Sequence, residues 1–279
     1  MIIDAHTHIF PAFFRDKREH FFDKEPGFKM LYGPSSAKME GSGELIYTMD
    51  AEGVDISVAF GFPWKTPDYF KRHNDYVIEA VNASPDRLIG FSCFDPASPE
   101  GAREAERCFN LGLKGVGELA VYDSPLTDDI ISRLEDVMSV CLDHDAPILI
   151  HTNEPVGHQY PGKQPLTLRQ IENLIKTYPD NKIILAHWGG GIFFYYLLKK
   201  EVKDTLKNVW FDTAASPYLY NTTIYKTAGS IMGYDRILFG TDYPLLIPER
   251  YFREIDSTGI SAEDIEKIEG KNAAILFGL

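Results

Sequence analysis

A single (β/α)8 barrel is the fold this chain predicts, and three observations carry the prediction. Eight short apolar runs recur along the sequence, helix-length segments separate them, and the 279 residues match the usual size of such a barrel. Most of the runs are nearly continuous in apolar residues rather than alternating, as expected of parallel strands buried on both faces.

In chain order the runs are IIDAH at 2–6, DISVAF at 55–60, LIGFSCF at 88–94, LKGVGEL at 113–119, PILIH at 147–151, KIILAH at 182–187, VWFDT at 209–213 and RILFGTD at 236–242. Between them, 66–83 and 99–110 have helical spacing and stop at Ser-Pro and Leu-Gly breakers. The stretch 124–145 places Ile130, Leu134, Val137, Met138, Cys141 and Leu142 on one helical face. Segment 166–178 repeats that spacing and ends before Pro179, and 261–279 reads as two helical pieces broken at Gly270. A doubly wound open sheet is the alternative fold, but no Gly-rich phosphate turn follows the first run. One domain over 1–279 is expected. Segment 11–43 interrupts the repeat and carries Phe13, Phe14, Phe21, Phe22 and Phe28, so it is expected to be an ordered insertion over the active-site face.

Composition narrows the function. Lys and Arg number 28 against 41 Asp and Glu, a net charge of −13 spread along the chain. That excludes a nucleic-acid or anionic-membrane surface and leaves a small molecule as the expected partner. Three cysteines without a CxxC pair fit a reducing compartment. Residues 1–10 contain Asp4 and two histidines and do not read as a signal peptide, and no run reaches transmembrane length. A soluble cytoplasmic protein is expected, with a homodimer suggested by the symmetry prior alone.

Active sites of such barrels lie at the C-terminal ends of the strands. The predicted ends carry His6, His8, Glu118, His151, His187 and Asp242. Residues i and i+2 of a strand point the same way, so His6 and His8 can share one cation. Each residue also has a plain structural reading: Asp242 as a helix cap, Glu118 as a solvated charge, His151 as a core histidine. Their coincidence at one end of the barrel favours a metal site. Imidazole and carboxylate donors without thiolate suit zinc, and manganese or iron(II) as well.

Four stretches carry a family resemblance: DAHTH at 4–8, ILIHTNE at 148–154, IILAHWGGG at 183–191 and ILFGTDYP at 237–244, with KNAAILFGL at 271–279 as a fifth. With them the chain resembles the amidohydrolase superfamily of metal-dependent TIM barrels. More narrowly it resembles the branch that includes aminocarboxymuconate-semialdehyde decarboxylase. The resemblance implies one divalent metal held by His6, His8, His151 and Asp242, with His187 orienting substrate or activating water. GVGELAVYD at 115–123 is similar to the glutamate-bearing fourth strand of TatD-like deoxyribonucleases. That implies Glu118 as a further ligand, with a second metal if it bridges, or else as a carboxylate that positions a histidine.

Such a site suits hydrolysis of an amide, lactone or ester, with Asp242 moving the proton and His187 polarising the carbonyl. The same parts suit a non-oxidative decarboxylase of an aromatic or unsaturated acid. A barrel without chemistry is disfavoured by the intact ligand set. Hydrolysis is the reading preferred here, because the chain is short for the decarboxylase branch and Glu118 points to water activation. A decarboxylase of a diacid should present a cation to the second carboxylate, and Arg15, Lys17, Arg18, Lys163 and Arg169 are the candidates. Asn153, Trp188, Tyr160 and Tyr243 are the expected substrate contacts, and Phe62, Trp64, His158 and Tyr218 are further aromatic or polar loop residues.

Overall fold

A computed structural model describes all residues except 123, 200 and 201; residue 123, which ends the GVGELAVYD stretch, therefore lies outside the described residues. Eight strands lie side by side in sequence order: β1 (Ile3–His8), β2 (Ile56–Phe60), β3 (Leu88–Ser92), β4 (Gly115–Leu119), β5 (Ile148–Ile150), β6 (Ile183–Leu185), β7 (Val209–Asp212) and β8 (Ile237–Leu238). Every neighbouring pair is parallel. The eighth strand returns to the first through backbone bonds: Ala5 N–H to the Phe239 carbonyl (2.8 Å), Asp242 N–H to His6 (3.0 Å) and His8 N–H to Tyr243 (2.7 Å). The predicted barrel is thus the observed one.

The strands are short because their ends turn sharply into loops. The run 236–242 yields only two strand residues, Ile237 and Leu238, and Asp242 at its end takes a left-handed φ of 62°. Helices Pro67–Ala83, Gly101–Asn110 and Leu168–Thr177 fall where their periodicity places them. The single helix expected over 124–145 is two, Asp128–Arg133 and Glu135–Asp143, hinged at Leu134. Thr127 caps the first of these by accepting from Ile130 N–H (3.3 Å). The tail forms Ala262–Glu266 and Asn272–Phe277 around a wider turn, Lys267–Lys271. Gly270 allows it to pass the N-terminus, because a Cβ there would lie 2.1 Å from the Met1 carbonyl oxygen.

Segment 11–43 is ordered. It forms two single turns, Ala12–Arg15 and Arg18–Phe21, and the helix Pro26–Tyr32, and is followed by the helix Ser42–Glu52. Phe14, Phe21 and Phe28 are buried against Trp64, with Phe14 stacked on it at 4.4 Å and Phe28 at 4.5 Å between centroids. Burying these rings on the strand-2 loop is what fixes the segment in place. Among the described residues, no helix is long and apolar enough to cross a membrane.

Candidate functional site

β1 delivers His6 and His8 to the barrel mouth with both side chains buried. His6 Nδ1 donates to Asp212 Oδ2 at 2.8 Å, and His8 Nδ1 donates to the Gly61 carbonyl at 3.1 Å. Each bond fixes the ring so that Nε2 faces the site. His6 Nε2 is fully buried and has no hydrogen-bond partner.

Asp242 and Glu118 face these nitrogens. Asp242 Oδ1 lies 3.3 Å from His8 Nε2 and 3.6 Å from His6 Nε2; Glu118 Oε2 lies 3.7 Å and 3.8 Å from the same two atoms. The second oxygen of Glu118 turns the other way. Its Oε1 accepts from His151 Nδ1 at 2.9 Å and lies 3.6 Å from His187 Nε2. His151 Nε2 faces the Gly162 carbonyl at 3.2 Å, and His187 Nδ1 donates to the Ala214 carbonyl at 2.9 Å.

The donors fall into three overlapping triads, each with its ligand atoms within 4.8 Å of one another: His6, His8 and Glu118; His6, His187 and Asp242; Glu118, His151 and His187. The residues fit a divalent cation on three grounds. The donors are nitrogen and oxygen only. An unpartnered buried nitrogen points at the centre. The separations of 3.3–3.8 Å approach the roughly 3.4 Å expected between two ligands on tetrahedral bonds of about 2.1 Å.

The electrostatics agree. Burial disfavours a charged His6, but the carboxylates of Asp212, Glu118 and Asp242 overcome it and raise its pKa to about 10. His187 is raised to about 9, burial again being outweighed by Glu118, Asp242 and Asp212. Burial would raise Glu118 and Asp242, yet the surrounding imidazoles hold both below the ordinary carboxylate range. A field that favours positive charge on these nitrogens favours a metal cation among them.

Backbone strain is concentrated here. His187, Trp188 and Asp242 take positive φ values of 55°, 62° and 62°, and Gly189, Gly190 and Gly191 continue the left-handed run. A Cβ on Gly190 would meet the Asn153 carbonyl oxygen at 2.4 Å, so only glycine lets this turn pack on the β5 loop.

A cavity of about 660 Å³ opens above the cluster. His8, Glu118, His151, His187 and Asp242 form its floor. Tyr32, Phe62, Tyr122, Tyr160 and Tyr218 supply aromatic wall, and 31–38 of the segment after β1 contributes Leu31, Pro34, Ser36, Ala37 and Lys38.

The six strand-end residues are therefore brought together, and Tyr160, Phe62, His158 and Tyr218 reach the cavity. Asn153, Trp188, Tyr243 and Trp64 do not line it. Asn153 exchanges hydrogen bonds with the Gln164 backbone (2.8 and 3.1 Å) and closes the base of the 153–164 loop. Trp188 is fully buried and donates to Ser216 Oγ at 2.6 Å. The Tyr243 hydroxyl bonds to Glu40 and Thr48, and Trp64 Nε1 donates to His73 Nδ1 at 2.8 Å. Sequence reasoning missed Asp212, which accepts from His6 Nδ1, from His187 N–H (2.8 Å) and from Ala214 N–H (3.0 Å). The available signal was its position as a lone acid at the end of the seventh run. Tyr32 and Tyr122 were missed too: Tyr32 stands in no motif, and Tyr122, although inside the GVGELAVYD stretch, lies past the strand end that marks the site residues.

Comparisons with known proteins show the family and the fold. The family model described as Amidohydrolase (Amidohydro_2) matches residues 3–279. A gamma-resorcylate decarboxylase of Polaromonas sp. is 27% identical over 257 residues, covering 75% of this chain and 76% of its own. Among solved structures, the 5-carboxyvanillate decarboxylase of Novosphingobium aromaticivorans, complexed with manganese and 4-hydroxy-3-methoxy-5-nitrobenzoic acid, superposes with a TM-score of 0.78. It is 20% identical and covers 100% of this chain and 96% of its own. A dihydroxybenzoic acid decarboxylase of Polaromonas sp., with bound manganese and 2-nitroresorcinol, gives a TM-score of 0.73 at 22% identity, covering 100% and 97%.

These findings correct the preference for hydrolysis: the named relatives are decarboxylases. Neither observation that favoured a hydrolase discriminates. The chain covers 96% of the 5-carboxyvanillate decarboxylase, so a difference in length does not separate it from that fold. Glu118 bears on how a metal is held, not on which bond breaks.

Proposed function

Because the chain belongs to the amidohydrolase superfamily, in the aminocarboxymuconate-semialdehyde decarboxylase-like branch, we propose that it is a metal-dependent, non-oxidative decarboxylase of a small aromatic carboxylic acid. One observation carries this reading: an aromatic-walled cavity of about 660 Å³ whose floor is the His/Glu/Asp cluster. The volume suits a single substituted ring. Segment 11–43, read as an ordered cover, supplies part of its wall.

The proposed ligands of one divalent cation are His6, His8, His151 and Asp242, with Glu118 joining through one carboxylate oxygen. Manganese is the first choice, since two structural neighbours are bound to it; zinc suits the same donors. When bound, the cation supplies a Lewis acid that neutralises anionic substrate oxygens at the cavity floor. Asp212 orients His6 through Nδ1 and fixes the turn that presents His187. Asp242 relays a proton to the ring carbon that bears the leaving carboxylate. The bond to the carboxylate then breaks, its electron pair returns to the ring, and carbon dioxide leaves. His187, held through Ala214, steadies the substrate at the cavity floor beside Asp242. The buried walls keep water from the ring while its charge is rearranged.

The test is carbon dioxide release from 2,6-dihydroxybenzoate and from 5-carboxyvanillate by manganese-loaded protein. Release from at least one, absent after chelation, is expected. Stoichiometric metal with no release from these or related aromatic acids overturns the reading.

A further inference from the structure

Apart from Lys38 at the exposed rim, each Lys or Arg that the sequence offers as partner to a second substrate carboxylate is engaged elsewhere or lies outside the cavity. Arg15 pairs with Glu44 at 2.9 Å, and Arg18 donates to the Ala37 carbonyl at 3.1 Å. Lys163 is almost fully buried and spends its three N–H donors inside its own loop, on Glu154 Oε1 (2.9 Å) and the carbonyls of Val156 (2.5 Å) and His158 (3.1 Å). Lys17 and Arg169 are exposed and do not line the cavity. Among the described residues no arginine lines it, and Lys38, on the exposed part of the segment after β1, is the one Lys or Arg that does.

The inner wall offers neutral donors instead. Tyr32, from the helix Pro26–Tyr32, and Tyr122, from the β4 loop, both line the cavity, and neither hydroxyl has a hydrogen-bond partner among the described residues. Their rings form one surface with Phe62 between them: Tyr32 lies 6.0 Å from Phe62, and Phe62 stacks on Tyr122 at 5.8 Å and 14°. Tyr122 in turn meets the His151 ring edge-on at 5.5 Å, which ties this wall to the cluster. Asp242 and Glu118 are near enough for their charges to act on both phenols.

We infer that the pocket selects an aromatic acid with a single carboxylate and ring hydroxyls, the Tyr32 and Tyr122 hydroxyls being the groups that recognise the ring oxygens. The inference rests on the decarboxylase reading and sharpens it. The leaving carboxylate belongs at the floor; a second one would be stripped of water against phenyl and phenol rings with no buried cation to receive it, which is strongly unfavourable. A phenolic oxygen asks only for a neutral partner, which the two tyrosines provide.

Two measurements on manganese-loaded full-length protein test this. The first compares kcat/KM for 2,6-dihydroxybenzoate and 5-carboxyvanillate; we expect the monoacid to exceed the diacid by about 100-fold or more. Equal turnover, or a preference for the diacid, overturns the inference. The second is calorimetric binding of 2-nitroresorcinol, which has ring hydroxyls and no carboxylate, and of benzoate, which has the reverse. Tyr32→Phe and Tyr122→Phe should each weaken 2-nitroresorcinol by about 5–10-fold while changing benzoate by less than about 2-fold. Equal losses for both ligands, or none, remove the two hydroxyls from recognition. If no acid is decarboxylated but the binding pattern holds, the proposed reaction fails and the hydroxyl recognition stands.

Discussion

Asp242 combines three unusual features: a left-handed φ of 62°, a carboxyl oxygen facing two buried imidazole nitrogens, and a place on the cavity floor. As the proposed proton relay it is not duplicated by Glu118, one of whose oxygens is bonded to His151 while the other faces His6 and His8. Asp242→Asn should therefore lower carbon dioxide release by about 1,000-fold or more, with the circular dichroism spectrum unchanged. Retained turnover would take Asp242 out of the reaction. Asp212 acts at one remove. Asp212→Asn leaves His6 Nδ1 with a weaker acceptor and should reduce manganese affinity by about 10–100-fold, read by competition with a chelator. At this scale much of the site was legible in the sequence, because His6, His8, Glu118, His151, His187 and Asp242 all stand where an apolar run ends. Asn153 and Trp188 show where such reasoning stops. Each adjoins a proposed site residue in the chain, yet Asn153 ties down its own loop and Trp188, past the first left-handed residue of a turn, is carried into the core. Adjacency in sequence is not adjacency around a pocket.

The 153–164 loop is an element with its own internal structure. Asn153 closes its base against Gln164, Lys163 fills its centre, and Tyr160 donates to Glu154 Oε2 at 2.9 Å. The outer face presents Tyr160 and Gly162 to the cavity, and the Gly162 carbonyl meets His151. Lys163→Met removes the ammonium that three oxygens surround, so the loop should loosen and KM for the preferred acid should rise by about 10-fold. Lys163→Arg should recover part of that rise; an unchanged KM in Lys163→Met would leave the loop without a positioning role. Little of this element was visible beforehand. Its contacts are polar and local, with no period, and Lys163 was read as a candidate anion-binding residue because an ion pair inside a loop has no sequence signature. The split of 124–145 into two helices has the same origin: apolar spacing locates the buried face but not the break at Leu134. The strands and main helices were legible because burial on both sides of a parallel strand, and on one side of a helix, writes a pattern into composition.

For the whole molecule, the proposed ligands arrive from β1, the ends of β4 and β5, and the turn after β8. A cation among them ties distant parts of the barrel together, so binding stabilises the folded state by mass action. Metal saturation at about 100 times Kd contributes about 2.7 kcal/mol, and chelation should lower Tm by about 5 °C. No change in Tm on chelation would argue against a metal held across the barrel. One manganese per chain is the expected content by elemental analysis. Two would assign the His151, His187 and Glu118 triad to a second ion.

The seam between β8 and β1 runs through the same residues, with Asp242 N–H bonded to His6 and His8 N–H to Tyr243. The ligand set is split along the chain: His6 and His8 stand in β1 and Asp242 follows β8, with every other strand between them. No nascent fragment can hold the complete ligand set or run the reaction, so the chemistry is switched on by the closing of the barrel, and activity doubles as proof that the last strand has found the first.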